Sequence, residues 1–300
     1  MCACRARETF GWWGVRMHIV FDHLSHRVSV LADAVRRLDA FGFTLTRQVT
    51  PSSNGVEQSG TLQRSILFER GSIAVVTNPD HSGPESWSGA APEFYGRHML
   101  AFGVADAQAA RAQIIANGLR VGDVTNVAYP IREPDIESTL QAQIFAAVDR
   151  EASACALQWV QYLLPDLRRT PRLTRHVNGA LSLVSVQIAC EDDALAANQW
   201  CLQQCVAVPT HWDNPDDMLN AIGLPISVQA IPLRRLPRMI ADSARRSPAS
   251  NAVPLIAVRE IEVIKRLAAE QRLIIEQMRA FHYVDLGGDC GVFGFFEPQD

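Results

Sequence analysis

The stretch HMLAFGVADAQAARAQIIANGL, His98 to Leu119, decides the fold, because an earlier part of the chain follows the same plan. It reads as an apolar strand to Val104, then Asp106 as N-cap, then a helix carrying Ala107, Ala110 and Ile114 inward and stopping at Gly118. Upstream, an alternating strand from His18 to Val30 leads into a helix over Leu31 to Phe41. Its apolar stripe is Leu31, Ala34, Val35, Leu38 and Phe41, and it ends at Gly42. A glycine just past a helix adopts the left-handed C-cap without a Cβ clash. From His23 to Gly42 is 19 residues, as is Met99 to Gly118, so the two units superpose.

Two further units follow. Leu181 to Cys205, LSLVSVQIACEDDALAANQWCLQQC, gives strand, acidic turn and helix, without the glycine. The fourth, from Pro254, has a strand LIAV, a charged helix through about Arg272 and a closing strand CGVFGFF. Between the helices lie RSILFER with SIAVVTN around Arg70-Gly71, then ALQWVQYLL, then ISVQAIPL, all strand-like. Each unit reads strand, helix, then two or three strands. The expected fold class is α+β: four βαβββ modules paired into two halves, Met17 to Leu167 and Arg175 to Asp300, joined by the proline-bearing Arg168 to Thr174.

Composition narrows the function. With 300 residues, 48% apolar and 20% charged, the chain can fill one large or two ordinary cores. A net charge of -4 without any Lys/Arg run lacks the footprint of a nucleic-acid or anionic-membrane binder, leaving a small organic molecule as the expected partner. No apolar run is long enough to span a bilayer, and Met1 to Arg16 lacks the apolar centre of a signal peptide, so a cytoplasmic location is expected. That segment, MCACRARETFGWWGVR, has no period and reads as a disordered tail or an overextended gene start. Seven scattered cysteines read as reduced thiols; Cys2 with Cys4 and Cys201 with Cys205 each lack a second pair for zinc. No nucleophile elbow, P-loop or dinucleotide fingerprint occurs, and LGGDCG, with no helix after it, is a turn in which Cys290 is structural.

FDHLSHRV, Phe21 to Val28, carries the candidate chemistry. Strand alternation sends His23 and His26 to opposite faces, so they cannot share a metal. Leu24, His26 and Val28 should pack on the helix, and Phe21, His23, Ser25 and Arg27 should face the concave side. In the second unit Met99 is the counterpart of His23, and His98 faces away. The segment Asn78 to His98, rich in Pro, Gly and Ser and holding Trp87, Phe94 and Tyr95, reads as a lid. Arg238 to Asn251 reads as a surface loop.

A repeated βαβββ unit with DHL, Asp22 to Leu24, in its first strand resembles the vicinal oxygen chelate superfamily, which includes glyoxalase I, extradiol dioxygenases and bleomycin-resistance proteins. It is similar in particular to glyoxalase-like proteins whose halves are joined by a proline-bearing segment followed by H-x-NGA. Here VQYLLPDLRRTPRLTRHVNGA, Val160 to Ala180, keeps the spacing from Pro165 to His176 and the motif His176 to Ala180. The resemblance covers about Met17 to Pro298. It implies a cup-shaped ligand site with His23 as first metal ligand. It places the other ligands at Val75 and Leu163, which cannot coordinate, so one ligand of the set remains.

Two readings follow. In the first, a protein with a degenerate metal site and no cofactor binds a small organic molecule in an apolar cup lined by His23, Arg27, Met99 and Tyr162 under a lid bearing Trp87. In the second, a divalent-metal-dependent lyase, isomerase or dioxygenase has relocated its ligands around His23, with Tyr162 and Gln161 as the nearest oxygen donors. His176 and Asn178 are expected to organise the turn between the halves. A homodimer is compatible with either reading.

Overall fold

The computed structural model describes residues 19–57, 61–77, 98–148, 155–164, 167–205, 226–246 and 252–298. The segment Met1 to Arg16 and most of the expected lid, with Trp87, lie outside the described residues. The first module is β1 (Val20–Arg27), α1 (Leu31–Ala40), the short β2 (Ser52–Ser53) and β3 (Val56–Glu57), β4 (Leu62–Leu67) and β5 (Ser72–Thr77). The second is β6 (His98–Gly103), α2 (Ala107–Ala116), β7 (Thr125–Glu133), β8 (Ile136–Ala146) and β9 (Ala156–Tyr162).

A one-turn helix α3 (Pro171–Thr174) leads to the third module: β10 (Ala180–Cys190), α4 (Leu195–Cys205), β11 (Ser227–Pro232) and α5 (Arg238–Arg246). The fourth is β12 (Ala252–Val258), α6 (Ile261–Glu270), β13 (Ile275–Met278), β14 (Phe281–Asp285) and β15 (Val292–Phe296).

The repeat of the first two modules is realised at the ends of their helices. Asp106 Oδ1 accepts from the Ala109 amide at 2.9 Å and caps α2 as its position requires. Gly42 donates to Asp39 and Phe43 to Leu38 at the end of α1; Gly118 donates to Ile115 and Leu119 to Ile114 at the end of α2. Both glycines have positive φ, 86° and 96°, so the two helices close with the same left-handed motif.

Each half is one sheet, with strand order β3-β2-β7-β8-β9-β6-β1-β5-β4 in the first and β11-β10-β12-β15-β14-β13 in the second. The first strands of paired modules meet antiparallel, β1 with β6 and β10 with β12. Each is flanked on its other side by a parallel strand of its own module, β5, β9, β11 and β15 respectively.

The helix-bearing faces of the two sheets share one core, which runs from Leu24, Leu38 and Phe102 to Ile264 and Phe295. Phe43 sits across the seam, with ring centroids 5.7 Å from Phe293 and 6.4 Å from Phe295. The opposite faces belong to separate clusters. In the first half this is a patch of Val127, Ala142, Ile144 and Val160. In the second, Val184, Leu255, Tyr283 and Phe296 are covered by Met239, Ile240 and Ala241 of α5. The expected surface loop at Arg238 is thus a helix plugging the concave side of its own half. Met239, Ile240, Ser243 and Ala244 do recur at helical spacing, but the flanking arginines and the Ser-Pro stretch that follows read as a loop.

HVNGA makes the expected turn. Asn178 Nδ2 donates to the Phe41 carbonyl at 3.1 Å, its Oδ1 accepts from Ala180, and its amide donates to Gly42. His176 Nδ1 accepts from the Thr44 amide at 3.0 Å, and Nε2 lies 3.1 Å from the Leu67 carbonyl. Cys155, Cys190, Cys201 and Cys290 are buried and form no disulfide. Among the described residues no helix is long and apolar enough to cross a membrane.

Candidate functional site

The candidate site lies on the face of the first sheet turned away from its helices, and a bulge in β1 shapes it. Phe21 pairs with Phe102 and His23 with Ala101, leaving Asp22 as the extra residue on β1. A bulge breaks the alternation of faces. Phe21, expected on the concave side, instead packs in the core against Phe102, with ring centroids 6.0 Å apart at 85°. Asp22, which alternation would have turned away, joins His23 at the cup. Beyond the bulge alternation resumes as expected. Leu24 and Val28 are core, and Ser25 and Arg27 continue the cup face.

His23 Nδ1 is 2.6 Å from Asp22 Oδ2, and the Tyr162 hydroxyl donates to the same oxygen at 2.8 Å. Burial by itself would raise the Asp22 carboxyl. The hydrogen bonds from His23 and Tyr162, with the charges of His23 and Arg169, outweigh it and hold the group below its ordinary value. Asp22 is therefore ionised and can only accept, so the proton between the pair belongs to His23 Nδ1. In the neutral imidazole His23 Nε2 then carries the lone pair, on a half-buried ring. Burial and the Asp22 charge push the Tyr162 hydroxyl well above its ordinary value, which keeps it a donor.

Register fixes the surroundings. His23 lies opposite Ser72 on β5 and Ala101 on β6. Met99 lies opposite Ser25, between His23 and Arg27, and Arg27 pairs with Val76. Alternation adds Ser65 on β4 and Gln158 on β9. The wall from β7, β8 and β9 is apolar, with Tyr129 and Tyr162 packed on Val127, Ala142, Ile144 and Val160. The wall from β1, β4 and β5 carries the buried Ser25, Ser65 and Ser72. The cup expected to be apolar is thus apolar on one side and polar on the other.

The structure joins His23 to Tyr162 through Asp22, sets Met99 beside them and places Arg27 further along the same strand. Sequence reasoning missed Asp22, although it stands in DHL, because parity excluded it and nothing local announces a bulge. It also missed Tyr129.

The architecture implies a divalent metal in the cup, and the donors among the described residues do not fit one. The strand neighbours of His23 are a serine and an alanine. Val75, opposite His26, belongs to the core face, and Leu163 is solvent-exposed. Gln161, the expected substitute, is turned away: its Oε1 accepts from the Ala107 amide at 2.8 Å and caps α2. Tyr162 is engaged with Asp22. Among the described residues no three His, Cys, Asp or Glu side chains gather as a metal site.

Paired βαβββ modules with a histidine on the first strand facing the cup define a protein of the vicinal oxygen chelate type. The chain belongs to the glyoxalase-like domain family, whose model matches residues 21–204. No curated protein sequence matches it. Solved structures that share the fold over nearly the whole chain include two at low sequence identity. One is a hypothetical protein from Staphylococcus aureus (TM-score 0.55, 11% identity, 93% of this chain and 99% of that one). The other is a mutant of 4-hydroxymandelate synthase from Streptomyces coelicolor (TM-score 0.51, 11% identity, 94% and 92%).

Proposed function

We propose that the cup of the first half binds a small organic molecule, with His23 as hydrogen-bond acceptor and without a complete metal site. The observation that carries this reading is the Asp22–His23 pair: it orients the imidazole and leaves Nε2 directed at a cup whose adjacent strand positions, Ser72 and Ala101, cannot complete a ligand set. Filling of the second cup by α5 supports the first as the site. The reading includes a cytoplasmic protein with neither nucleic acid nor membrane as partner.

The rival is a divalent-metal lyase, isomerase or dioxygenase built on His23. Elemental analysis of untagged protein, with anaerobic reconstitution by Fe²⁺, Zn²⁺ or Ni²⁺, separates the two. Substoichiometric metal, unchanged in His23→Ala, is expected. One equivalent, lost in His23→Ala, contradicts the proposal and promotes the enzyme.

A further inference from the structure

We infer that the occupant of this cup is an organic anion whose carboxylate pairs with Arg27 and whose far end carries a hydrogen-bond donor for His23 Nε2. The inference rests on the proposed function and deepens it.

Arg27 is half-buried on the cup face and makes no hydrogen bond or ion pair among the described residues. Burial lowers its pKa, with no opposing carboxylate to restore it. A guanidinium taken out of water without a partner is costly, and a planar bidentate anion is the partner its fork fits.

The neighbouring charges have the same sign. Arg169, which donates to the Phe68 and Gly71 carbonyls, lowers the Asp22 carboxyl, and Arg168 acts on Tyr129 and Tyr162, so two further guanidinium groups bring positive charge to the cup in a chain whose net charge is -4. Asp22 is already committed to His23 and Tyr162. A cup of positive potential in an acidic protein selects anions.

Strand geometry sets the ligand's length. His23 and Arg27 are four residues apart on one face, so their Cα atoms are separated by roughly 13 Å. With a hydrogen bond at each end taking up part of that gap, a chain of up to about eight carbons lying along the strand reaches both groups. Met99 and the apolar wall at Val160 flank its path.

The probes are 8-hydroxyoctanoate, octanoate, methyl 8-hydroxyoctanoate and 1-octanol, titrated into the full chain by calorimetry with NMR of the His23 ring. Binding of 8-hydroxyoctanoate at least tenfold tighter than its methyl ester is expected. Arg27→Met, which keeps the stem, should erase that preference while ester binding persists, and Arg27→Lys should retain part of it. His23→Phe should erase the advantage of the hydroxy acid over octanoate. If acid and ester bind alike, or Arg27→Met keeps the preference, the anion inference falls and the cup reading stands. If no probe, 1-octanol included, perturbs His23, both fall.

Discussion

His26 and His98, opposite each other on β1 and β6, form the middle of a one-way hydrogen-bond chain that starts and ends in the other half of the molecule. The Ala252 amide donates to His98 Nδ1 at 3.2 Å, so that nitrogen is unprotonated. His98 Nε2 then donates to His26 Nδ1 at 2.6 Å, and His26 Nε2 donates to the Asp289 carbonyl. Only one tautomer of each ring, both neutral, satisfies all three bonds. The pair ties β12 and the turn before β15 to the first sheet.

The chain predicts acid sensitivity. Burial lowers both histidines, and the proximity of His26 lowers His98 further; the bond to the Asp289 carbonyl and the Asp289 charge offset only part of the effect on His26. A folded pKa below the unfolded value of about 6.5 means the stabilisation is complete above pH 6.5 and is lost as pH falls toward the folded values. Each pH unit in that window costs up to about 1.4 kcal/mol per histidine. Urea unfolding of the full chain from pH 8 to 5 should show falling stability, and the double variant His26→Leu/His98→Leu should flatten the slope. An unchanged slope would show that the pair does not bear the effect.

His176 at the seam titrates in the same direction by a separate route. Burial lowers it to about 4, with the bond to the Leu67 carbonyl offsetting part of the effect, and a proton on Nδ1 would also confront the Thr44 amide that this nitrogen accepts from. Its stabilisation, up to roughly 3 kcal/mol, is complete above pH 6.5 and lost between 6.5 and about 4. His176→Gln should reduce acid sensitivity additively with the His26/His98 variant, since the sites share no partner. Asn178→Ala, which orphans the Phe41 carbonyl and the Ala180 amide, should cost about 2–4 kcal/mol at pH 7.5 in the same urea series.

The parts visible in the sequence are those set by local chemistry. The 19-residue spacing found the repeat of the first two modules because a glycine closes each of their helices at positive φ, and HVNGA marked a turn because Asn178 Oδ1 accepts from the nearby Ala180 amide. Three features depended on distant contacts and stayed hidden. The bulge at Asp22 is decided by pairing with β6, and Gln161 is drawn to the amide of a helix many residues away. The helix α5 forms against a sheet that supplies most of its apolar surface.

That helix gives a direct check on the second half. Ile240 is completely buried against the concave sheet, so Ile240→Ala should destabilise the protein by about 2–4 kcal/mol. A loss below about 0.5 kcal/mol would mean that the helix does not hold that cup closed.

His282 on β14 is a stability reserve. Its two ring nitrogens are buried without hydrogen-bond partners among the described residues. Removing an unsatisfied polar pair from the core should stabilise, so His282→Phe should raise stability by about 1–2 kcal/mol in thermal or urea unfolding. A destabilised variant would point to a partner for the ring that the fold does not reveal.

The central claim concerns His23 as an oriented acceptor instead of a metal ligand. A long-range ¹⁵N–¹H correlation spectrum of the imidazole rings, recorded on the full chain before and after anaerobic addition of one equivalent of Fe²⁺ or Zn²⁺, tests it most directly. The predicted result is a proton fixed on His23 Nδ1, an unprotonated Nε2 and no stoichiometric change on adding metal; Asp22→Asn should abolish the tautomer preference. A proton on Nε2 in the free protein, or an Nε2 signal that shifts in proportion to one bound metal ion, would contradict it.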